Sequence, residues 1–137
     1  METEIKISKL WFADDRIFIR TECGSERWQS LLWYSRLRNA TDEQRSNYRF
    51  SYSGIHWPDV DEDISFESFF YDNPEPVGLS RIFLNHPELN VSAIARRMGM
   101  KQSLLASYIS GTKKPSAKRE EQILYSVRQI GKELLSI

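Results

Sequence analysis

The chain has 137 residues, 40% of them hydrophobic and 28% charged, and its 19 Lys and Arg residues balance its 19 Asp and Glu residues. This is the composition of an ordinary globular protein, and no apolar run approaches the roughly 18 residues that cross a bilayer. The first residues lack the pattern of a signal peptide, and a single cysteine, Cys23, excludes a disulfide framework and a multi-cysteine metal site. We therefore expect a cytoplasmic protein that uses no cofactor and no metal.

The balance of charge conceals a division along the chain. Residues 1–78 contain 9 Lys and Arg against 15 Asp and Glu, a net charge of −6, whereas residues 79–137 contain 10 against 4, a net charge of +6. All the tryptophans lie in the first part. Such a division indicates two modules with different partners, one of them nucleic acid, although two halves that attract each other would show it as well.

The first part predicts a small α+β domain over residues 1–72, an antiparallel sheet with short helices. Ile17 and Ile19 occupy alternate positions in a strand pattern, and Asp14-Asp15 before them is suited to a hairpin turn. Residues 27–34 and 49–57 have the pattern of further strands. Short helices are expected to start at the capping box Thr41–Gln44 and at the N-cap candidate Ser65.

Two prolines and a glycine predict a linker at residues 73–78, and residues 79–137 predict an all-helical domain. Its helices are recognised by apolar residues at helical spacing and by residues suited to helix ends. The predicted ends are Asn90 and Ser116 as N-caps and Gly99 and Gly111 as stops. The apolar stripe of the last helix consists of Ile123, Leu124, Val127, Ile130 and Leu134.

Residues 90–116 carry the features that a helix-turn-helix requires. Ala95 is small enough for two helices to cross closely, and Gly99, four positions later, tolerates the positive φ of a tight turn. The second helix opens with the short polar residues Gln102 and Ser103. Side chains of this kind reach base edges in the major groove, so this stretch is a candidate for sequence-specific DNA binding.

Residues 79–137 resemble the lambda repressor-like, Xre-type helix-turn-helix domains. The resemblance rests on Ala95, Gly99, Gln102 and Ser103, on Gly111 and on the basic run 113–116. The resemblance implies a sequence-specific regulator of transcription that binds double-stranded DNA, commonly as a homodimer, with residues 102–110 as the recognition helix. It implies base contacts from Gln102, Ser103, Ala106 and Ser107, and phosphate contacts from Lys101, Lys113, Lys114 and Arg97. Three positions depart from the family's pattern, namely Val91, Lys101 and Ile109. A helical bundle that does not bind DNA would have the same architecture.

A second resemblance lies in residues 53–65, which contain a Trp-Pro-Asp…Asp-Ile-Ser signature. With the strands before them, they are similar to a bacterial family known as domain of unknown function 2442. Members stand alone or are joined to a helix-turn-helix, and some are regarded as antitoxin-like. We expect the N-terminal domain to bind a partner or a ligand or to form the dimer. The alternative is an antitoxin-like protein that binds a small partner protein through this domain and regulates its own operon.

The same stretch contains His56, Asp59, Asp61 and Asp63 within eight positions. A calcium loop starting at Asp59 would need Gly and Glu where Ile64 and Phe70 stand. No nucleophile, base and oxyanion arrangement is recognisable, so we do not expect an enzyme. We expect Trp57 and Ile64 to be core residues and the aspartates to be solvated, with a partner-binding surface as the alternative.

Overall fold

The structure is a computed structural model that describes residues 4–137. The chain divides into two compact units, unit 1 at residues 1–75 and unit 2 at residues 76–137. Within the described residues, no helix combines the length and the apolar character needed to cross a membrane.

Unit 1 contains two antiparallel three-stranded sheets, where the sequence predicted one. The first sheet has the order β1-β2-β3, and its strands are Ile7–Ala13, Arg16–Thr21 and Glu26–Ser30. The second has the order β4-β5-β6, and its strands are Arg49–Phe50, Gly54–Trp57 and Glu62–Ser65. Strand β6 was not predicted, because its acidic residues have low strand propensity and it depends on pairing with β5.

The turn between β1 and β2 is the one predicted at Asp14-Asp15. Both residues have positive φ, 53° at Asp14 and 61° at Asp15. Two consecutive left-handed residues suit a two-residue hairpin, since their twist matches that of the strands, and Asp tolerates this conformation better than most residues. The predicted hairpin is therefore confirmed.

Short helices complete unit 1, and they are the 3-10 helix Leu31–Trp33, α1 at Ser35–Arg38, α2 at Asp42–Ser46 and the 3-10 helix Glu67–Phe70. The predicted strand 27–34 is wrong beyond Ser30, because the Ser30 hydroxyl accepts the N–H of Leu32 at 3.1 Å and the chain turns there. The capping box is confirmed: the Thr41 hydroxyl accepts the N–H of Gln44, whose side chain accepts the N–H of Thr41. The Ser65 hydroxyl accepts the N–H of Ser68, although Ser65 itself ends β6.

The core of unit 1 forms around Trp57, which is fully buried and donates its indole N–H to the carbonyl of Arg45 at 2.9 Å. Ile17 and Ile19 are fully buried against it on β2, and Ile64 on β6 is 2% exposed. Trp57 and Ile64 are thus core residues, as predicted.

Unit 2 is helical. Its helices are α3 at Gly78–Asn85, α4 at Val91–Met98, α5 at Gln102–Ser110 and α6 at Ala117–Leu135. Their buried apolar residues form one core and are Leu79, Phe83, Ile94, Ala95, Leu105 and Ile123. The Ser116 hydroxyl accepts the N–H of Arg119 at 3.1 Å, which confirms the predicted cap of α6. Leu134 does not belong to the core stripe: it is 62% exposed, because α6 runs past the core and residues 131–137 are all exposed.

Candidate nucleic-acid interface

The connection between α4 and α5 is set by residues at the two ends of α4. The Asn90 side chain accepts the N–H of Ala93 at 3.0 Å at the start of the helix. At its end Gly99 adopts a left-handed conformation with φ of 68°, and the N–H of Met100 reaches the carbonyl of Ala95 at 3.0 Å. This is the hydrogen bonding of a Schellman turn, so the predicted cap and stop are both confirmed.

Packing determines which face of α5 is open. Leu105 is fully buried, and Ala95 on α4 is 1% exposed. Two of the positions that depart from the resembled family, Val91 and Ile109, are partly buried against the same core. The face of α5 opposite Leu105 is therefore the face that a ligand can reach.

The predicted base-contacting residues lie mostly on that open face. Gln102, Ser103 and Ala106 are exposed. Ser107 is only partly exposed, and its hydroxyl donates to the carbonyl of Leu104 at 2.6 Å within α5 itself. The structure thus brings Gln102, Ser103 and Ala106 together, whereas the Ser107 hydroxyl proton is already used.

The first turn of α5 begins without a side-chain cap. Lys101 has the extended backbone of an N-cap residue, with φ of −69° and ψ of 134°, but its side chain has no acceptor atom. The lysine charge stands at the positive end of a helix, which is favourable for an anion.

The basic run after α5 is held against the end of that helix. The carbonyl of Ser107 accepts the N–H of Lys113 at 3.1 Å and the hydroxyl of Thr112 at 3.2 Å. The Ser80 hydroxyl of α3 donates to the carbonyl of Tyr108 at 3.0 Å. These hydrogen bonds tie the basic run and α3 to α5.

The predicted phosphate-contacting cations fall into two groups. Lys101, Lys113 and Lys114 are exposed and form no ion pair within residues 4–137. Arg97 is engaged by Glu133 of α6, with guanidinium-to-carboxylate distances of 2.6 and 3.2 Å. These hydrogen bonds lower the pKa of Glu133 and raise that of Arg97. Arg97 would therefore have to leave Glu133 to meet a phosphate.

One further lysine escaped the sequence reasoning. Lys118 is exposed in the first turn of α6 and has no acidic partner in the described part of the chain. Its position soon after Lys113 and Lys114 could have indicated a phosphate contact, but the helix-turn-helix pattern that the chain resembles ends at Ser116.

In unit 1 the acidic stretch is tied to neighbouring side chains. Asp63 lies 2.8 Å from the ring of His56 on the paired strand, and the side chain of Asn47 donates to Asp59 at 2.9 Å. The guanidinium of Arg36 donates to the carbonyl of Asp61 at 2.9 Å. Residues 4–137 contain no group of three or more His, Cys, Asp or Glu side chains placed to hold a metal ion.

Cys23 is exposed in the turn after β2. Hydrogen bonds from Thr21, at 3.1 Å, and from Ser25 lower the pKa of its thiol. No histidine or second cysteine lies within hydrogen-bonding distance among the described residues, so the thiol has no general base beside it.

Comparison with known proteins gives a match over unit 1. A protein-family model described as protein of unknown function (DUF2442) matches residues 7–75, which is half of the chain. The chain belongs to the DUF2442 family. The match ends where unit 1 ends, so it bears on the two-sheet unit and leaves the helical unit to be judged from its own residues. No curated protein and no solved structure matches the chain significantly.

Proposed function

We propose that the protein is a sequence-specific, DNA-binding regulator of transcription. In this proposal unit 2 is a lambda repressor-like helix-turn-helix domain, and α5 is its recognition helix. The observation that carries the proposal is the open face of α5, where Gln102, Ser103 and Ala106 are exposed opposite the buried Leu105.

These three side chains suit the edges of base pairs. A Gln side chain can bind adenine N6 and N7 together, Ser can donate or accept, and the Ala methyl can contact the methyl group of thymine. Because they stand at the start and middle of one helix, they would reach neighbouring base pairs in the major groove.

The free lysines would hold the DNA backbone on either side of this contact. Lys101 precedes α5, and Lys113 and Lys114 follow it, so cations flank the base-reading face in the chain. Contacts with phosphates set the register of the protein and provide the salt-dependent part of the affinity.

Unit 1 has a different part in this proposal, as the module that binds a partner or forms the dimer. Two copies of the recognition helix about 34 Å apart would read an inverted repeat. We propose the promoter of the protein's own gene as a first operator to test.

The test compares a base contact with a phosphate contact. Gln102→Ala should lower the affinity for the selected operator by about 5- to 100-fold, and it should relax the preference at one base position. Lys114→Ala should weaken binding to all sequences alike and reduce the slope of affinity against salt by about 1. The operator is selected from a random DNA library, and affinities are measured by fluorescence anisotropy.

Lys132→Ala is the matched control, because Lys132 is an exposed lysine near the end of α6 and outside the proposed interface. It should leave the affinity within about twofold of the original value. Equal, sequence-independent losses from Gln102→Ala and Lys114→Ala would show that the groove assignment is wrong. An affinity for every DNA pool weaker than about 0.1 mM at low salt would refute DNA binding altogether.

A further inference from the structure

Unit 2 also contains a groove between α4 and α6. Its volume is about 490 Å³, within the range of roughly 300–1,000 Å³ that small-molecule sites occupy. Among the residues that the structure describes, neither the predicted base-contacting residues nor any Asp or Glu lines it. Its polar lining residues are Arg97, Arg119, Gln122, Tyr125, Ser126 and Gln129.

The spacing of residues on α6 places these side chains together. Arg119, Gln122, Ser126 and Gln129 follow one another at intervals of three and four positions, which is one face of a helix. Arg97 adds a second guanidinium from the last turn of α4. The groove thus presents two cations and several hydrogen-bonding groups to the same space.

Ser126 lies in the floor of the groove. It is 8% exposed, and no hydrogen bond joins its hydroxyl to another residue that the structure describes. The hydroxyl oxygen itself keeps accessible surface, so it can exchange hydrogen bonds with molecules in the groove. The Ser126 hydroxyl is therefore available to donate to a ligand in the groove.

The two arginines indicate the charge of that molecule. Arg97 already holds both oxygens of the Glu133 carboxylate, the two-pronged geometry in which guanidinium binds carboxylate or phosphate. Arg119 forms no ion pair with any described residue, although it is only partly exposed. A guanidinium held in a groove without a carboxylate favours an anionic ligand.

We propose that this groove binds a small free oxyanion, a molecule carrying a phosphate or carboxylate group. Arg119 binds its oxygens, Ser126 donates a hydrogen bond from the floor, and Gln122 and Gln129 donate from the walls. Glu133 occupies Arg97 until the ligand takes its place. Arg97 is shared with the predicted phosphate contacts, whereas Arg119 and Ser126 are not, and the binding is tested without DNA.

The test is calorimetric titration of the full chain with pyrophosphate and, separately, with citrate at low ionic strength. We expect saturable binding of at least one, and the stronger of the two identifies the group that the site prefers. Arg119→Gln should weaken binding about 10-fold or more, as expected for a charge-assisted hydrogen bond, and Ser126→Ala about 3-fold. Glu133→Gln should tighten binding about 3-fold, because it releases Arg97.

Arg128→Gln is the matched control, since Arg128 is an exposed arginine of the same helix that pairs with Glu121 and does not line the groove. Its affinity should stay within about twofold. An equal loss from Arg128→Gln and Arg119→Gln would overturn the proposal, because general charge would then explain the binding. So would the absence of saturable binding of either anion below about 10 mM. If Arg119→Gln does not fold, the proposal is tested by Glu133→Gln. An anion affinity that is unchanged or weaker in that variant overturns the proposal.

Discussion

At the scale of single residues, the turn between α4 and α5 depends on Gly99. Its φ of 68° lies in the left-handed region, and the hydrogen bond from Met100 to Ala95 closes around it. A Cβ placed on Gly99 would meet no atom within 4 Å. The position therefore requires glycine for its backbone conformation and not for lack of space.

Gly99→Ala should lower the free energy of unfolding by about 1 kcal/mol, because an L-residue is strained in the left-handed region. The matched control is Gly131→Ala in α6, where a Cβ also meets no atom within 4 Å and φ is not positive. That change should raise the free energy of unfolding by about 0.5–1 kcal/mol. Urea denaturation measures both, and changes of the same sign would contradict the explanation.

Glu62 on β6 is a residue whose ionisation opposes folding. Burial raises its pKa, with smaller contributions from the nearby Asp63 and Asp61, while a backbone hydrogen bond and Arg36 act in the opposite direction. Because the folded pKa lies above the unfolded one, the folded state binds the proton more tightly. The group's contribution to stability is therefore full below about pH 4 and is lost as the pH rises through the folded pKa.

Glu62→Gln should consequently raise the free energy of unfolding at pH 7, since it removes the partly buried charge. The gain should disappear at about pH 4, where the original carboxyl is largely protonated. Glu67→Gln, at an exposed position just after β6, is the control and should change little at either pH. Denaturation curves at the two pH values check this, and a gain that persists at the lower pH would rule out the ionisation as its cause.

At the scale of elements, three α-helices in the described part of the chain begin with a side-chain cap, whereas α1, α3 and α5 begin without one. Thr41, Asn90 and Ser116 each accept a backbone N–H at the start of α2, α4 and α6. Lys101 has the same extended backbone at the start of α5 but offers no acceptor. A helix without a side-chain cap is less stable by about 1 kcal/mol than the same helix with one. In the proposed DNA complex, the Lys101 charge at this end would meet a phosphate.

Lys101→Ser should separate stability from DNA binding. The hydroxyl supplies the missing cap and should raise the free energy of unfolding by about 0.5–1 kcal/mol. Loss of a phosphate contact should at the same time lower the affinity for DNA at low salt. The control Lys118→Ser lies within the first turn of α6, which Ser116 already caps, and should bring no gain in stability. A stabilised variant with unchanged DNA affinity would show that Lys101 does not contact phosphate.

At the scale of the whole molecule, the net charge of zero is the sum of two opposite net charges. The net charge of residues 79–137 is +6, and that of residues 1–78 is −6. Attraction to DNA is governed by charge near the contact, since distant exposed charges are screened within roughly 10 Å at 0.1 M salt. A net charge of zero is therefore no argument against the proposed DNA binding.

The salt dependence of DNA affinity should report how many cations meet phosphates. Contacts from Lys101, Lys113 and Lys114 alone predict a slope of log affinity against log salt of about −2.7 per bound chain, roughly a 40-fold loss between 50 and 200 mM salt. Glu133→Gln releases Arg97 and should steepen the slope by about 0.9. Anisotropy titrations at several salt concentrations measure it. A slope near zero would contradict the phosphate contacts, and an unchanged slope in Glu133→Gln would exclude Arg97 from them.

The features that could be predicted from the sequence depend on a few neighbouring residues. The caps at Asn90 and Ser116, the stop at Gly99 and the Asp14-Asp15 turn are of this kind, because a cap or a turn is formed by atoms within five positions of one another. The base-contacting roles of α5 are inferred from the same local pattern, and they stay predictions.

What the sequence alone determined is therefore the helical character of residues 79–137, the local caps and turns, and the division of charge between the two parts. Only the tertiary structure decided that Arg97 is bound by Glu133, 36 positions away, that Ser126 lines a groove and that Leu134 is exposed. The physical reason is that burial and pairing depend on residues far apart in the chain, whose positions follow from how the helices and strands pack.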